Sequence, residues 1–211
     1  MRRIAAGVGT ALWLLGVTVC SAAGEGEAEP RLEPAGADRV DAMPVSGPSP
    51  IDLDGGLEEP VWESVPLIDA FVQREPREGA APAFRTEARV AFDHLSLYVA
   101  VRAFDPEPEA LVGILTRRDE PSPSDWIRVV VDSYHDRRTA YEFAVNPAGV
   151  RQDAYRFNDG DEDKSWDAIW DVGVAIDERG WTAEFRIPFS QLRFDPAGDG
   201  TIGFALVRQV G

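Results

Sequence analysis

The sequence predicts an all-β protein, an antiparallel β-sandwich of the jelly-roll or immunoglobulin-like kind, on three observations. Apolar and polar residues alternate with period two along most of residues 51–211. Turn-forming clusters separate the alternating runs at close spacing, and no convincing amphipathic helix appears. Thr86–Phe92 is the first expected strand. Leu95, Leu97, Val99, Val101 and Ala103 share one face of the next, after the Asp93-His94 turn. Trp126–Ser133 follows, then the run in which Tyr141, Phe143 and Val145 alternate with Glu142, Ala144 and Asn146. Val150–Phe157 comes after the turn Asn146-Pro147-Ala148-Gly149, and Trp166–Ile176 after an acidic loop. Trp181–Ile187 is the cleanest case, apolar at odd positions and largely polar at even ones, and Ile202–Val210 is the last.

Upstream of the sandwich, residues 1–23 read as an export signal. Arg2 and Arg3 precede an uncharged run from Ile4 to Val19, and Ser21-Ala22-Ala23 supplies small residues for cleavage. The run is shorter than the roughly 20 residues that span a bilayer. Lipidation at Cys20 is the alternative, although Val19 is a branched residue where lipoprotein signals carry a small one. Residues 24–50 hold five prolines, four glycines and no aromatic residue, and read as a flexible linker that cannot bury enough surface to offset its ordering entropy. The domain is expected over 51–211, exported to the periplasm or the outer membrane, with no transmembrane helix in the mature chain.

Composition narrows the function classes. With 21 Lys+Arg against 37 Asp+Glu, the net charge of −16 leaves no basic surface for nucleic acid. One cysteine and two histidines provide neither a disulfide framework nor a Cys-based zinc site. Ser133, Ser165 and Ser190 lie in no Gly-x-Ser-x-Gly elbow, and no glycine-rich phosphate loop is present. No catalytic constellation stands out and no cofactor is required. Calcium is the one candidate ion. Asp159, Asp161 and Asp163 concentrate oxygen donors in one loop, but Lys164 and Trp170 stand where an EF-hand loop needs Gly and Glu. A solvated acidic turn is the plainer reading. Asp52 and Asp54 form a weaker candidate of the same kind.

Five tryptophans follow the linker, and exposed indoles are platforms for sugar rings. Trp166 and Trp170 share the parity of Ala168, Val172 and Val174, a core face. Trp126 breaks the parity of Ile127, Val129 and Val131 and points to the other side beside Asp125. That makes it the best tryptophan candidate for an exposed contact, or for covering the sheet under a loop.

An ordered series of motifs resembles a known family. Ile51 to Trp62 is similar to the opening of carbohydrate-binding module family 9-like domains. Ser124-Asp125-Trp126, Val131–Tyr141, Phe143–Val150, Ser165–Trp170 and Gly180–Phe194 resemble a subgroup more closely. That subgroup forms the N-terminal domain of large exported bacterial proteins whose remainder looks like an outer-membrane β-barrel. The resemblance implies a β-sandwich, export, a glycan ligand and a barrel partner, with O-glycosyl hydrolysis entering only through associated enzymes. It implies a stand-alone or shortened copy here, since no barrel follows. In sugar-binding members two tryptophans clamp the saccharide. The resemblance puts one of these positions at Phe189 and the other in the loop Asp119–Ser124, which has no aromatic residue. Asp125, Asp132, Arg137, Asn146 and Asp153 match the subgroup's polar signature. The expected ligand-binding residues are therefore Asp125, Trp126, Arg137, Asn146 and Phe189. The leading expectation is a non-catalytic glycan-binding module; a docking domain for a barrel and a glycosidase are the alternatives.

Overall fold

Alternating strands become two stacked sheets because each buries one apolar face against the other. A computed structural model of the chain describes residues 15–18, 39–45, 51–158, 160–195 and 200–211. Twelve strands are described: β1 (Leu15–Thr18), β2 (Arg39–Asp41), β3 (Met43–Pro44), β4 (Thr86–Phe92), β5 (Ser96–Phe104), β6 (Trp126–Asp132), β7 (Ala140–Val145), β8 (Arg151–Phe157), β9 (Asp161–Asp163), β10 (Asp171–Asp177), β11 (Gly180–Pro188) and β12 (Thr201–Gln209). One sheet runs β2-β1-β12-β6-β7-β8-β9 and the other β10-β11-β5-β4-β3. Pairing is antiparallel except between β1 and β2 and between β3 and β4. Only 7% of the described residues are helical, so the all-β sandwich expected from the sequence is what forms. The single α-helix among the described residues, α1, is the one turn Pro60–Ser64, begun by a proline whose missing N–H costs nothing there.

Phe143, Phe204, Ile127 and Val129 from one sheet meet Phe185, Trp181, Val99 and Val101 from the other in one buried cluster. Trp170 stacks on Phe185 with centroids 5.8 Å apart and planes 7° apart. At one end of the sandwich Arg208 of β12 reaches across, donating to Phe104 O at 2.8 Å and Arg85 O at 3.2 Å. On the outer face of the larger sheet, Glu142 of β7 pairs with Arg128 of β6 at 2.7 Å and with Arg156 of β8.

The five-stranded sheet is covered over the middle of its outer face as well. Residues 51–65 form a strap over its outside, where Ile51, Trp62 and Val65 pack on Ala91, Tyr98 and Ala100. The strap runs close to β10: a Cβ on Gly173 would stand 2.4 Å from Leu53 O.

Two particulars differ from the sequence expectation. The strand expected from Trp166 begins only at Asp171, because residues 164–170 cross from one sheet to the other. Upstream of Ile51, residues 39–45 already belong to the sandwich, with Val40, Ala42 and Val45 buried. That run is too short among prolines and acidic residues to show as a periodic segment. The remainder of the expected signal and linker lies outside the described residues, apart from β1.

Candidate functional site

The crossing segment 164–170 closes one flank of the sandwich, and side chains from both sheets gather around it. Trp166 is half-buried there, its ring 4.9 Å from that of Tyr141 and 5.8 Å from that of Phe143. Tyr155 and Phe157 of β8 stack beside it, 6.0 Å apart and 21° inclined. β11 runs into the segment 189–194, in which Phe189 and Phe194 meet edge to face at 5.7 Å. Gln191 of this segment accepts from Ile169 N at 3.0 Å, tying it to the crossing. Phe194 is 38% exposed and Ile169 77%.

Arg118 fixes the crossing from the other side. Its guanidinium donates to Ala168 O at 2.6 Å, pairs with Asp167 at 2.9 Å and forks onto the buried Asp153. Asp153 also accepts from Ala168 N at 2.7 Å. Burial works against the Arg118 charge, but the surrounding carboxylates hold its pKa above the ordinary value. Beyond Trp170 the flank continues into a groove of about 620 Å³, lined among others by Asp52, Arg151, Asp171 and Arg186. Arg186 pairs with Asp171 at 2.5 Å, and Arg151 donates to Trp170 O at 2.6 Å while lying over that indole.

The flank thus offers what a saccharide needs: aromatic faces for C–H groups and charged hydrogen-bonding groups for hydroxyls. Its carboxylates are engaged by guanidiniums, Asp153 and Asp167 by Arg118 and Asp171 by Arg186. The arrangement is one for holding a ligand.

Of the ligand-binding residues expected from the sequence, only Phe189 lies on this flank; Asp153 and Asp52, noted in the sequence on other grounds, lie on it as well. Trp126 does project from the outer face of β6, as its parity requires, but it is 1% exposed instead of forming an exposed contact. Its indole N–H donates to Ser122 O at 3.2 Å, and Ala144 and Val150 pack against it. Asp125 is 3% exposed, accepting from Val112 N at 2.7 Å, and burial pushes its carboxyl up. Asn146 is fully buried and saturated: Oδ1 accepts from Ala148 N and Val150 N, while Nδ2 donates to Ile114 O and Ser124 Oγ. Arg137 is exposed in the β6–β7 turn at φ +58°, its backbone N–H bound by Asp132. Asp161 and Asp163 are exposed on β9, where Asp163 accepts from Ser165 N and Oγ; Asp159 lies outside the described residues. Asp119, at the start of the loop matched to the second clamp position, accepts from Asp153 N at 3.1 Å and so lies against β8.

Sequence reasoning missed Arg118, Asp167, Gln191 and Phe194; it placed Trp166 on the core face, and the half-buried ring does pack against the core. The loops that carry Arg118, Gln191 and Phe194 have no period, and Asp167 sits in a crossing that alternates as a strand does, so no local signal marks these residues. A carboxylate cluster also forms away from the flank: oxygens of Asp54, Glu59 and Glu184 lie within 4.8 Å of one another under the strap.

Comparison with known proteins supplies the family. The family described as "Carbohydrate family 9 binding domain-like" matches residues 53–209. Among solved structures, a carbohydrate binding module family 9 from Caldicellulosiruptor kristjanssonii in complex with cellotriose is similar at TM-score 0.50 and 14% identity. The match covers 78% of this chain and 82% of that one. A Bacteroides uniformis ATCC 8492 protein proposed to bind carbohydrate is similar at TM-score 0.53 and 10% identity, covering 81% and 89%. No curated protein matches the chain. With one family spanning nearly all of the sandwich, the chain belongs to the carbohydrate family 9 binding domain-like proteins.

Proposed function

We propose that this chain is an exported, non-catalytic module that holds a saccharide on the flank closed by residues 164–170. One observation carries the reading: half-buried Trp166 and Phe189 and exposed Phe194 border a polar strip of the Arg118–Asp167 ion pair and the Gln191 amide. Family 9 domains are binding modules, not catalysts, and the C. kristjanssonii relative is recorded with cellotriose. Cellotriose is therefore the first ligand to try. Export is read from the leader-like residues 1–23, and association with an outer-membrane barrel from the motif series. Docking without sugar is the second reading, favoured by Ile114 and Leu115, which are 40% and 80% exposed on one loop.

Titration with cellotriose and a panel of other oligosaccharides, followed by tryptophan fluorescence and calorimetry, tests the proposal. Saturable binding is expected, weakened about tenfold, or about 1.4 kcal/mol, by Trp166→Ala. Trp166 also packs on Tyr141, so Phe194→Ala serves as the second variant with little effect on folding. Silence across the panel, or binding indifferent to both variants, overturns the flank reading.

A further inference from the structure

At the other end of β11 from Phe189, the sandwich gathers arginines. Three segments meet there: residues 83–85 before β4, residues 104–106 after β5, and Arg179 in the β10–β11 turn, whose carbonyl accepts from Asp105 N at 2.9 Å. They border a groove of about 420 Å³, lined among others by Phe84, Arg85, Phe104, Asp105, Pro106 and Arg179. The Arg85 and Arg179 guanidiniums lie over the same Phe104 ring, 4.9 and 5.7 Å from its centroid. Arg208 lies behind the groove, over Phe84 at 5.2 Å, with Nη1 donating to Phe104 O and Arg85 O.

The charge here runs against that of the rest of the molecule. Arg85 pairs with Glu87, and Arg208 with Asp105 at 3.5 Å, whereas Arg179 has no ion pair among the described residues. Asp177, on the same turn, is taken by Arg102 at 2.6 Å. One positive charge is left over in a chain of net charge −16. Arg208 is short of acceptors as well: its side chain is 8% exposed, and Nε and Nη2 have no hydrogen-bond partner. A buried guanidinium in that state is costly, and burial outweighs Asp105 and Asp125 to hold its pKa below the ordinary value. Negative charge is what this end of the sandwich lacks.

We propose that this groove binds a carboxylate-bearing sugar, a hexuronate unit, as a second ligand site independent of the flank. Guanidiniums resting on an aromatic ring keep their N–H edges free to fork onto a carboxylate. Arg179 and Arg85 supply those edges, and Arg208 adds its charge from behind Phe84. The two phenylalanine rings and Pro106 give an apolar wall for the C–H face of the sugar. A bare sulfate or phosphate would use the charge but not the wall. A peptide's terminal carboxylate is captured by a nest of free backbone N–H groups. Here the N–H groups of Phe104 and Asp105 are already spent on Arg85 O and Arg179 O. Screening over about 8 Å at physiological salt keeps the acidic remainder of the surface from cancelling the local attraction.

The test titrates the full chain with trigalacturonate by calorimetry, at low and at physiological salt. Neutral galactotriose, sodium sulfate and a tetraglutamate peptide are the comparison probes. Trigalacturonate should bind saturably, more weakly at the higher salt, and Arg179→Ala should weaken it at least about tenfold. Arg179 is exposed, and its backbone bonds to Asp177 and Asp105 persist in the variant, so folding should be unaffected. Arg85→Ala is the second variant. No saturable uronate heat, or binding undiminished in both variants, overturns the proposal. So does galactotriose, sulfate or the peptide binding as tightly as trigalacturonate, and so does displacement of trigalacturonate by cellotriose, which would place both on the flank. Arg179→Ala should leave any cellotriose response as it was, so failure here and failure of the flank reading are separable.

Discussion

At the residue scale, the polar positions that stand out in the sequence are mostly held inside. Asn146 satisfies both of its side-chain ends with four hydrogen bonds and ties the β7–β8 turn to the loop carrying Ile114 and Ser124. Asn146→Ala should cost about 2–3 kcal/mol in urea unfolding, since it strands the buried Val150 N–H and removes the partners of the part-buried Ala148 N–H and Ile114 carbonyl. A loss below about 1 kcal/mol would show that the turn does not depend on the side chain. Trp126 shows how far parity reaches. Alternation tells correctly that it leaves the core side of β6, but not that Ser122 and the loop behind it would seal the indole. Parity names a face, and what covers the face comes from residues far along the chain.

At the element scale, the strands were legible and the connections were not. Thr86–Phe92 agrees with β4 residue for residue, and β6, β7, β8, β11 and β12 agree within a residue or two. In each, one face meets the other sheet, so period two is imposed by packing. The crossing 164–170 alternates as well, since Trp166, Ala168 and Trp170 all face inward, and it is therefore indistinguishable in sequence from a strand. The strap depends on a steric permission. Leu53 O stands where a Cβ on Gly173 would be, and backbone cannot yield as a side-chain tip can. Gly173→Ala should therefore lift the strap, costing about 2–3 kcal/mol and exposing Trp62 to fluorescence quenchers. Gly79→Ala is the control. Gly79 has φ +74° but no atom within 4 Å of the added Cβ, so it should lose only about 1 kcal/mol of backbone strain with Trp62 still shielded.

At the scale of the whole molecule, two buried glutamates on the outer faces of opposite sheets shape the stability against pH. Burial acts to raise the Glu142 carboxyl, but the Arg156 and Arg128 guanidiniums overcome it and hold the group below its ordinary 4.5. Its contribution is present above that value and is lost as pH falls through the lowered one. Glu184 has the opposite sign. Raised to about 8, it contributes fully below 4.5 and loses that contribution as pH climbs from 4.5 through 8. Unfolding free energy should therefore be highest in mildly acidic solution and fall on both sides. Glu184→Gln should flatten the alkaline limb alone, and Glu142→Gln the acid limb alone. An alkaline limb unchanged in Glu184→Gln would show that other groups set it. By itself the sequence determined the sandwich, most of its strands and its acidic character, because these follow from local alternation and composition. Only the tertiary structure decided which aromatics reach the flank, which polar residues are spent inside, and that Asp54, Glu59 and Glu184 converge. Those outcomes depend on two sheets, a crossing and a strap meeting from distant parts of the chain, and no local pattern records where distant segments meet.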